Sequence, residues 1–91
     1  MAKLAKYEVK GMVGSMCKKM SQIVKLSQKY YYKFPDLINQ EIAKLDGIRD
    51  AAITAAVWTN CSDTVLKGIR SHHSNCTHEL NLLLQSFPEK Y

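Results

Sequence analysis

The fold is decided by residues 9–34, which read VKGMVGSMCKKMSQIVKLSQKYYYKF. Along this stretch, apolar residues and one serine are spaced alternately four and three residues apart. These positions are Val9, Val13, Met16, Met20, Ile23, Ser27, Tyr30 and Phe34. Such spacing is typical of a helix that packs one face against other helices. We therefore predict a first helix over about residues 9–34. Because Gly11 and Gly14 each cost a helix about 1 kcal/mol, we expect residues 1–14 to be frayed or bent.

Two further helices are predicted after Phe34-Pro35-Asp36. The proline ends the first helix because it lacks an amide donor and disfavours helical geometry in the residue before it. Helical stripes then predict a second helix over about residues 36–59 and a third over about 62–87. The residues at 71–75 are weak helix formers, so a break there, giving four helices, remains an alternative. No alternating strand pattern appears. The sequence thus predicts an all-α fold, a small antiparallel bundle of three long helices in a single helical domain spanning residues 1–91.

The second half of the second helix is apolar on every side. Residues 51–58 read AAITAAVW, and a helix that is apolar all round is usually buried all round. A monomer of three helices would leave one of its faces in water, so we predict that this segment forms a subunit interface in a homodimer. The predicted dimer interface consists of Ala51, Ala52, Ala55, Val57 and Trp58.

The composition indicates a cytoplasmic protein. No apolar run of signal-peptide length follows the first lysines, and the longest nearly apolar stretch is too short to span a bilayer. The three cysteines are odd in number and lie in predicted helices, whereas a disulfide scaffold has dense, paired cysteines. We therefore expect reduced thiols and no membrane association.

Positive charge is concentrated in the first third of the chain. Residues 1–33 contain eight lysines and the single acid Glu8, whereas residues 34–91 contain five basic and seven acidic residues, and the whole chain has a net charge of +5. This asymmetry predicts one positive surface that binds something negative.

The most concentrated part of that surface is a line of lysines opposite the Met16-Met20-Ile23 stripe. We call it the lysine ridge and predict that it binds the partner. In it, Lys18, Lys25, Lys29 and Tyr32 fall within a narrow arc, and Lys19 and Lys33 lie to one side of that arc. Lysines often only solvate a helix, but the stretch from Val9 to Phe34 has no acid to balance them. The ridge also lacks arginine, which dominates base recognition, so any nucleic-acid contact would be to the backbone and independent of sequence.

The histidines and the cysteine between positions 72 and 78 are the strongest candidates for a metal-binding or catalytic site. Zinc and copper favour imidazole and thiolate ligands. At about 100° per residue, however, Cys76 falls on the apolar stripe, His72 and His73 flank it, and His78 points away. One helix cannot present the four ligands of a closed zinc site from these residues, although a metal shared across a dimer stays an alternative. We predict no metal, no cofactor and no catalytic residue.

Two non-enzymatic functions remain after these exclusions. In the first, the chain is an adaptor, accessory protein or inhibitor that docks its basic helical face on an acidic protein partner. In the second, it binds nucleic acid without sequence preference through the same lysines. We favour the first because a nucleic-acid binder of this size would usually carry arginines or a recognisable binding motif.

Overall fold

The computed structural model describes residues 6–87, and their side chains from residue 8 onward. Helix α1 spans Lys6–Leu26 and continues directly into one π-helical turn, Ser27–Tyr31. Helix α2 spans Pro35–Trp58 and helix α3 spans Asp63–Gln85. Each helix packs against the other two, and residues 6–87 contain no strand. The prediction of an all-α fold with three packed helices is therefore confirmed.

The helices are continuous at the two places where the sequence allowed a break or a bend. Helix α3 passes through residues 71–75 without a break, which excludes the four-helix alternative. Helix α1 likewise passes through Gly11 and Gly14. Of the segment 1–14 that was expected to fray or bend, residues 1–5 lie outside the described part of the chain.

Short backbone-bonded connections join the helices. The amide of Phe34 donates to the carbonyl of Tyr31 at 2.9 Å, and Pro35 then opens α2 as its first residue. At the other end of α2, Asn60 adopts a left-handed conformation with φ of 51°. The amide of Cys61 donates to the carbonyl of Ala56 at 3.0 Å. This is the usual way to satisfy the last carbonyls of a helix.

Two clusters of buried side chains form the core. The first joins Met20 and Val24 of α1 to Ile38 and Leu45 of α2 and to Cys76 and Leu80 of α3. The second joins Val9 and Val13 of α1 to Ala52 and Ala56 of α2 and to Ile69 of α3. Every helix contributes to both clusters, so burial of apolar surface couples all three helices along their length.

The buried face of α1 departs from its predicted stripe at the π turn. Tyr30 and Phe34 are 55% and 52% exposed, whereas Val24 and Tyr31 contact the core. A π turn holds more residues than an α turn because its hydrogen bonds join residues five apart. The residues after Ser27 are therefore rotated relative to the α-helical pattern, which exchanges Tyr30 for Tyr31 on the inner side.

None of the helices in the described part of the chain is both long enough and apolar enough to cross a membrane.

Candidate functional site

The lysine ridge lies on the surface of α1, of the π turn and of the two turn residues that follow, Tyr32 and Lys33. Lys18, Lys19, Lys25, Lys29 and Lys33 are all exposed, and Tyr32 is 47% exposed. Among residues 8–87, ion pairs form between Lys44 and Glu41 and between Arg49 and Asp50, and His73 contacts Asp46. No ridge lysine pairs with an acid within that range. Their charges therefore act on the solvent and on whatever approaches from it.

The packing of α1 divides the ridge between two sides of the molecule. Lys18 and Lys25 line a cleft between α1 and α3, which we call the α1–α3 cleft. Its volume is about 420 Å³, and its lining residues are Cys17, Lys18, Ser21, Gln22, Lys25 and His72. Lys19 lies on the other side and lines an apolar groove between α1 and α2 together with Ile23, Lys44 and Ile48. The periodicity of α1 indicated that Lys19 lies to one side of the ridge, but it could not show which helix flanks it.

The last part of the ridge contains two lysines over aromatic rings. The Nζ atom of Lys29 lies 5.2 Å from the ring centroid of Tyr30, and that of Lys33 lies 5.7 Å from the centroid of Tyr32. At exposed sites such cation–π pairs contribute about 0.5 to 1 kcal/mol. They also hold ammonium groups beside exposed rings. Tyr30, which the apolar stripe assigned to the core, therefore joins the surface next to the ridge.

His72 connects α3 to the ridge side of α1. Its Nε2 atom lies 2.9 Å from the carbonyl oxygen of Cys17 and 3.0 Å from Oγ of Ser21. A carbonyl oxygen can only accept, so Nε2 carries a hydrogen and donates it. The imidazole is thus fixed in the wall of the α1–α3 cleft. The sequence placed His72 beside the core but gave no signal of its partners, because they lie 51 and 55 positions away.

His73 has a separate role between α3 and α2. It is 9% exposed, and its Nε2 atom lies 2.7 Å from Oδ1 of Asp46 and 3.3 Å from Oγ1 of Thr77. This arrangement satisfies a largely buried imidazole, as buried polar groups require. His73 is therefore a structural tie between helices, while His78 is exposed.

The two cysteines between α1 and α3 are poor nucleophiles. Burial raises the pKa of the Cys17 thiol above its ordinary value. Burial, with smaller contributions from Cys17 and Glu79, also raises the pKa of Cys76, although a hydrogen bond from Ser21 partly opposes this. A thiolate is the reactive form of cysteine, so these surroundings disfavour it. Within the described residues, no three histidine, cysteine or acidic side chains are grouped so that they could hold a metal ion.

The predicted dimer interface is split between the core and the surface of the single chain. Ala52 is fully buried against Val9, Val13 and Ile69 in the second core cluster, and Ala55 packs at its edge. Ala51, Val57 and Trp58 are exposed, with Trp58 at 70%. The packing of α1 and α3 thus explains half of this apolar segment and leaves the other half uncovered.

No protein family model, curated protein or solved structure matches this chain.

Proposed function

We propose that this chain is a small, non-enzymatic interaction protein that docks its lysine ridge on an acidic protein partner, as an adaptor, accessory protein or inhibitor does. The observation that carries the proposal is a set of exposed lysines on α1, the π turn and the turn that follows, none paired with an acid among residues 8–87. Lysines that only solvate a helix are usually mixed with acids. A helix supported by a core on its other face also fixes the backbone positions from which these side chains extend, so the backbone needs no ordering on binding.

Electrostatics favour an acidic partner over a neutral one. The chain has a net charge of +5, and the acids at positions 36–63 lie on α2 and at the first residue of α3. Complementary charge on a partner speeds the encounter and fixes the orientation of docking, while ionic strength screens the attraction. Binding through this surface should therefore weaken as salt is raised.

Nucleic acid is the second candidate for the same surface, and one observation favours it. Tyr30 and Tyr32 are about half exposed, and each lies under a lysine. Exposed aromatic rings beside cations can stack on unpaired bases while the lysines neutralise phosphates. The basic residues of α1 and the π turn are all lysines, so this binding would not depend on base sequence.

A pull-down from lysate of the native host, with and without nuclease, separates the two candidates. If the proposal is right, an acidic protein stays bound to the tagged chain after nuclease treatment. Loss of all retained material on nuclease treatment would instead support nucleic-acid binding. A ridge variant, Lys18→Gln with Lys25→Gln and Lys29→Gln, serves as the control for specific capture, because any protein that it retains equally does not bind the ridge.

We also propose that the helices are arranged antiparallel and that the chain forms a homodimer through the exposed part of residues 51–58. Exposed apolar residues grouped at one end of a helix favour a protein contact, and Val57 and Trp58 are 56% and 70% exposed.

We propose a cytoplasmic location, because the three cysteines have no disulfide partners, as is usual in that reducing compartment.

The dimer is tested by Val57→Glu. We expect light scattering at micromolar concentration to give about twice the chain mass of 10.4 kDa for the parent and the single mass for the variant. A charge at this position would have to lose its hydration in the interface, but it stays in water in the monomer. Helical circular dichroism should be unchanged. A parent that is strictly monomeric would contradict the dimer.

A further inference from the structure

We propose that the α1–α3 cleft is a binding site for a phosphate monoester. This inference rests on the proposed docking function of the lysine ridge, because two ridge lysines line the cleft. It adds the chemistry of the group that the ridge receives: the phosphoryl group of a phosphorylated side chain on the partner.

Five of the six residues that line the cleft, all except Cys17, have side chains with a nitrogen or oxygen donor. Lys18 and Lys25 are seven residues apart on α1, which is about 10 Å along the helix axis at 1.5 Å per residue. Ser21 and Gln22 lie between them, and His72 approaches from α3. Lysine side chains are long and flexible, so both ammonium groups can reach one anion seated over Ser21. The cleft thus brings donors from two helices to a single place.

No acidic side chain lines this cleft. The neighbouring concavity along the same two helices differs, because it contains Glu79, whose carboxylate accepts a hydrogen bond from Gln28 at 3.2 Å. The groove between α1 and α2 contains Glu41, which lies 2.7 Å from Lys44 and raises the pKa of that lysine. The part of that groove lined by Lys19 and Lys44 also has no lining carboxylate, but Lys44 there is paired with Glu41. In the α1–α3 cleft, by contrast, neither Lys18 nor Lys25 is paired with an acid among residues 8–87.

His72 adds a donor site that the fold holds ready. Its Nε2–H is committed to the carbonyl of Cys17 and to Ser21. Its Nδ1 atom has no hydrogen-bond partner among the described residues. In a doubly protonated imidazole Nδ1 also carries a hydrogen, which it can donate to an anion. The ring needs no rearrangement for this, since its other nitrogen is already fixed by the backbone.

A phosphate monoester suits this set of donors better than a carboxylate does. It carries close to two negative charges at neutral pH and presents three terminal oxygens. A carboxylate carries one charge and two oxygens, and a phosphodiester within a nucleic-acid strand carries one charge. Two lysines, a hydroxyl, an amide and an imidazole match the group with the most charge and the most acceptors.

The inference is tested by titrating ¹⁵N-labelled protein with O-phosphoserine at constant ionic strength. We expect saturable chemical-shift changes at Ser21, Gln22 and His72. The double variant Lys18→Gln and Lys25→Gln should weaken binding by about tenfold or more, since it removes two charge-assisted hydrogen bonds. His72→Gln, which leaves the lysines in place, should weaken it by a smaller factor. The matched control is Lys67→Gln with Arg70→Gln, which removes the same charge from exposed positions of α3 outside the cleft and should bind as the parent does.

Equal weakening by the double variant and its control, or shifts that do not saturate, would show general electrostatic attraction and overturn the inference. A phosphoserine peptide and its unphosphorylated form distinguish a protein source from the free monoester: tighter binding of the phosphopeptide than of phosphoserine supports a phosphorylated partner, whereas equal binding assigns the cleft to small monoesters. If single-stranded DNA binds more tightly than both the phosphopeptide and phosphoserine, the inference that the cleft binds a phosphate monoester is contradicted.

A glutamate-rich peptide without phosphate keeps this test separate from the proposed function. If that peptide binds through the ridge but phosphoserine does not bind the cleft, the inference fails and the docking function stands. If neither binds, both fail.

Discussion

Replacing Leu80 by alanine is expected to lower the free energy of unfolding by about 3 kcal/mol. Leu80 is fully buried in the first core cluster, where α3 meets Met20 of α1 and Leu45 of α2. Removing its branched side chain loses apolar burial and leaves a cavity that three packed helices cannot fill without moving. For a domain of this size, the melting temperature should fall by roughly 12 °C or more. Urea denaturation followed by circular dichroism measures the change.

Leu82→Ala is the matched control on the same helix. Leu82 is 46% exposed, so the same chemical change should alter the free energy of unfolding by about 0.5 kcal/mol or less. Similar losses from both variants would mean that α3 does not present Leu80 to the core, and the described packing would then be wrong.

The sequence was sufficient to predict the helices because their signals are local. Pro35 marked the start of α2, and helical stripes predicted the second and third helices close to their observed bounds, Pro35–Trp58 and Asp63–Gln85. These signals depend on residues a few positions apart, which periodicity can report.

The inner face of α1 after Ser27 could not be predicted in the same way. Its pattern assumes α-helical geometry throughout, whereas the π turn rotates Tyr30 outward and Tyr31 inward. Nothing in a single sequence distinguishes that turn from an α-helical one, because both use the same residue types. The exposed ring of Tyr30 beside Lys29 was therefore missed by the sequence pattern, whereas Tyr32 was already assigned to the ridge.

The candidate site was predictable as a set of lysines but not as a cleft. The lack of acids around Lys18, Lys25 and Lys29 is plain in the sequence. Which of these lysines share a concavity depends on the helix that packs beside α1. The contacts of His72 with Cys17 and Ser21 join positions more than 50 residues apart, and such pairs leave no local periodic signal.

Replacing Lys18, Lys25 and Lys29 together by glutamine is expected to weaken partner binding by at least about tenfold while leaving the fold intact. Exposed lysines contribute little to stability, and removing their mutual repulsion has at most a small stabilising effect. Each lysine that faces an acidic partner accelerates association through a field that salt screens. The control triple variant, Lys10→Gln with Lys67→Gln and Arg70→Gln, makes the same change in net charge outside the ridge and should bind nearly as the parent does.

The most direct test of the docking function is the dependence of binding on salt, measured for the partner that survives nuclease treatment. Surface plasmon resonance over a series of salt concentrations gives the slope of log affinity against log salt for the parent, the ridge variant and the control variant. We predict a steep slope for the parent and the control and a shallow slope for the ridge variant. If nucleic acid is the ligand, the slope should fall by about 0.7 to 0.9 for each phosphate that the ridge variant no longer neutralises, equally for unrelated sequences. Undiminished binding of the ridge variant with the slope of the parent would contradict the proposal and show that the lysines only solvate α1.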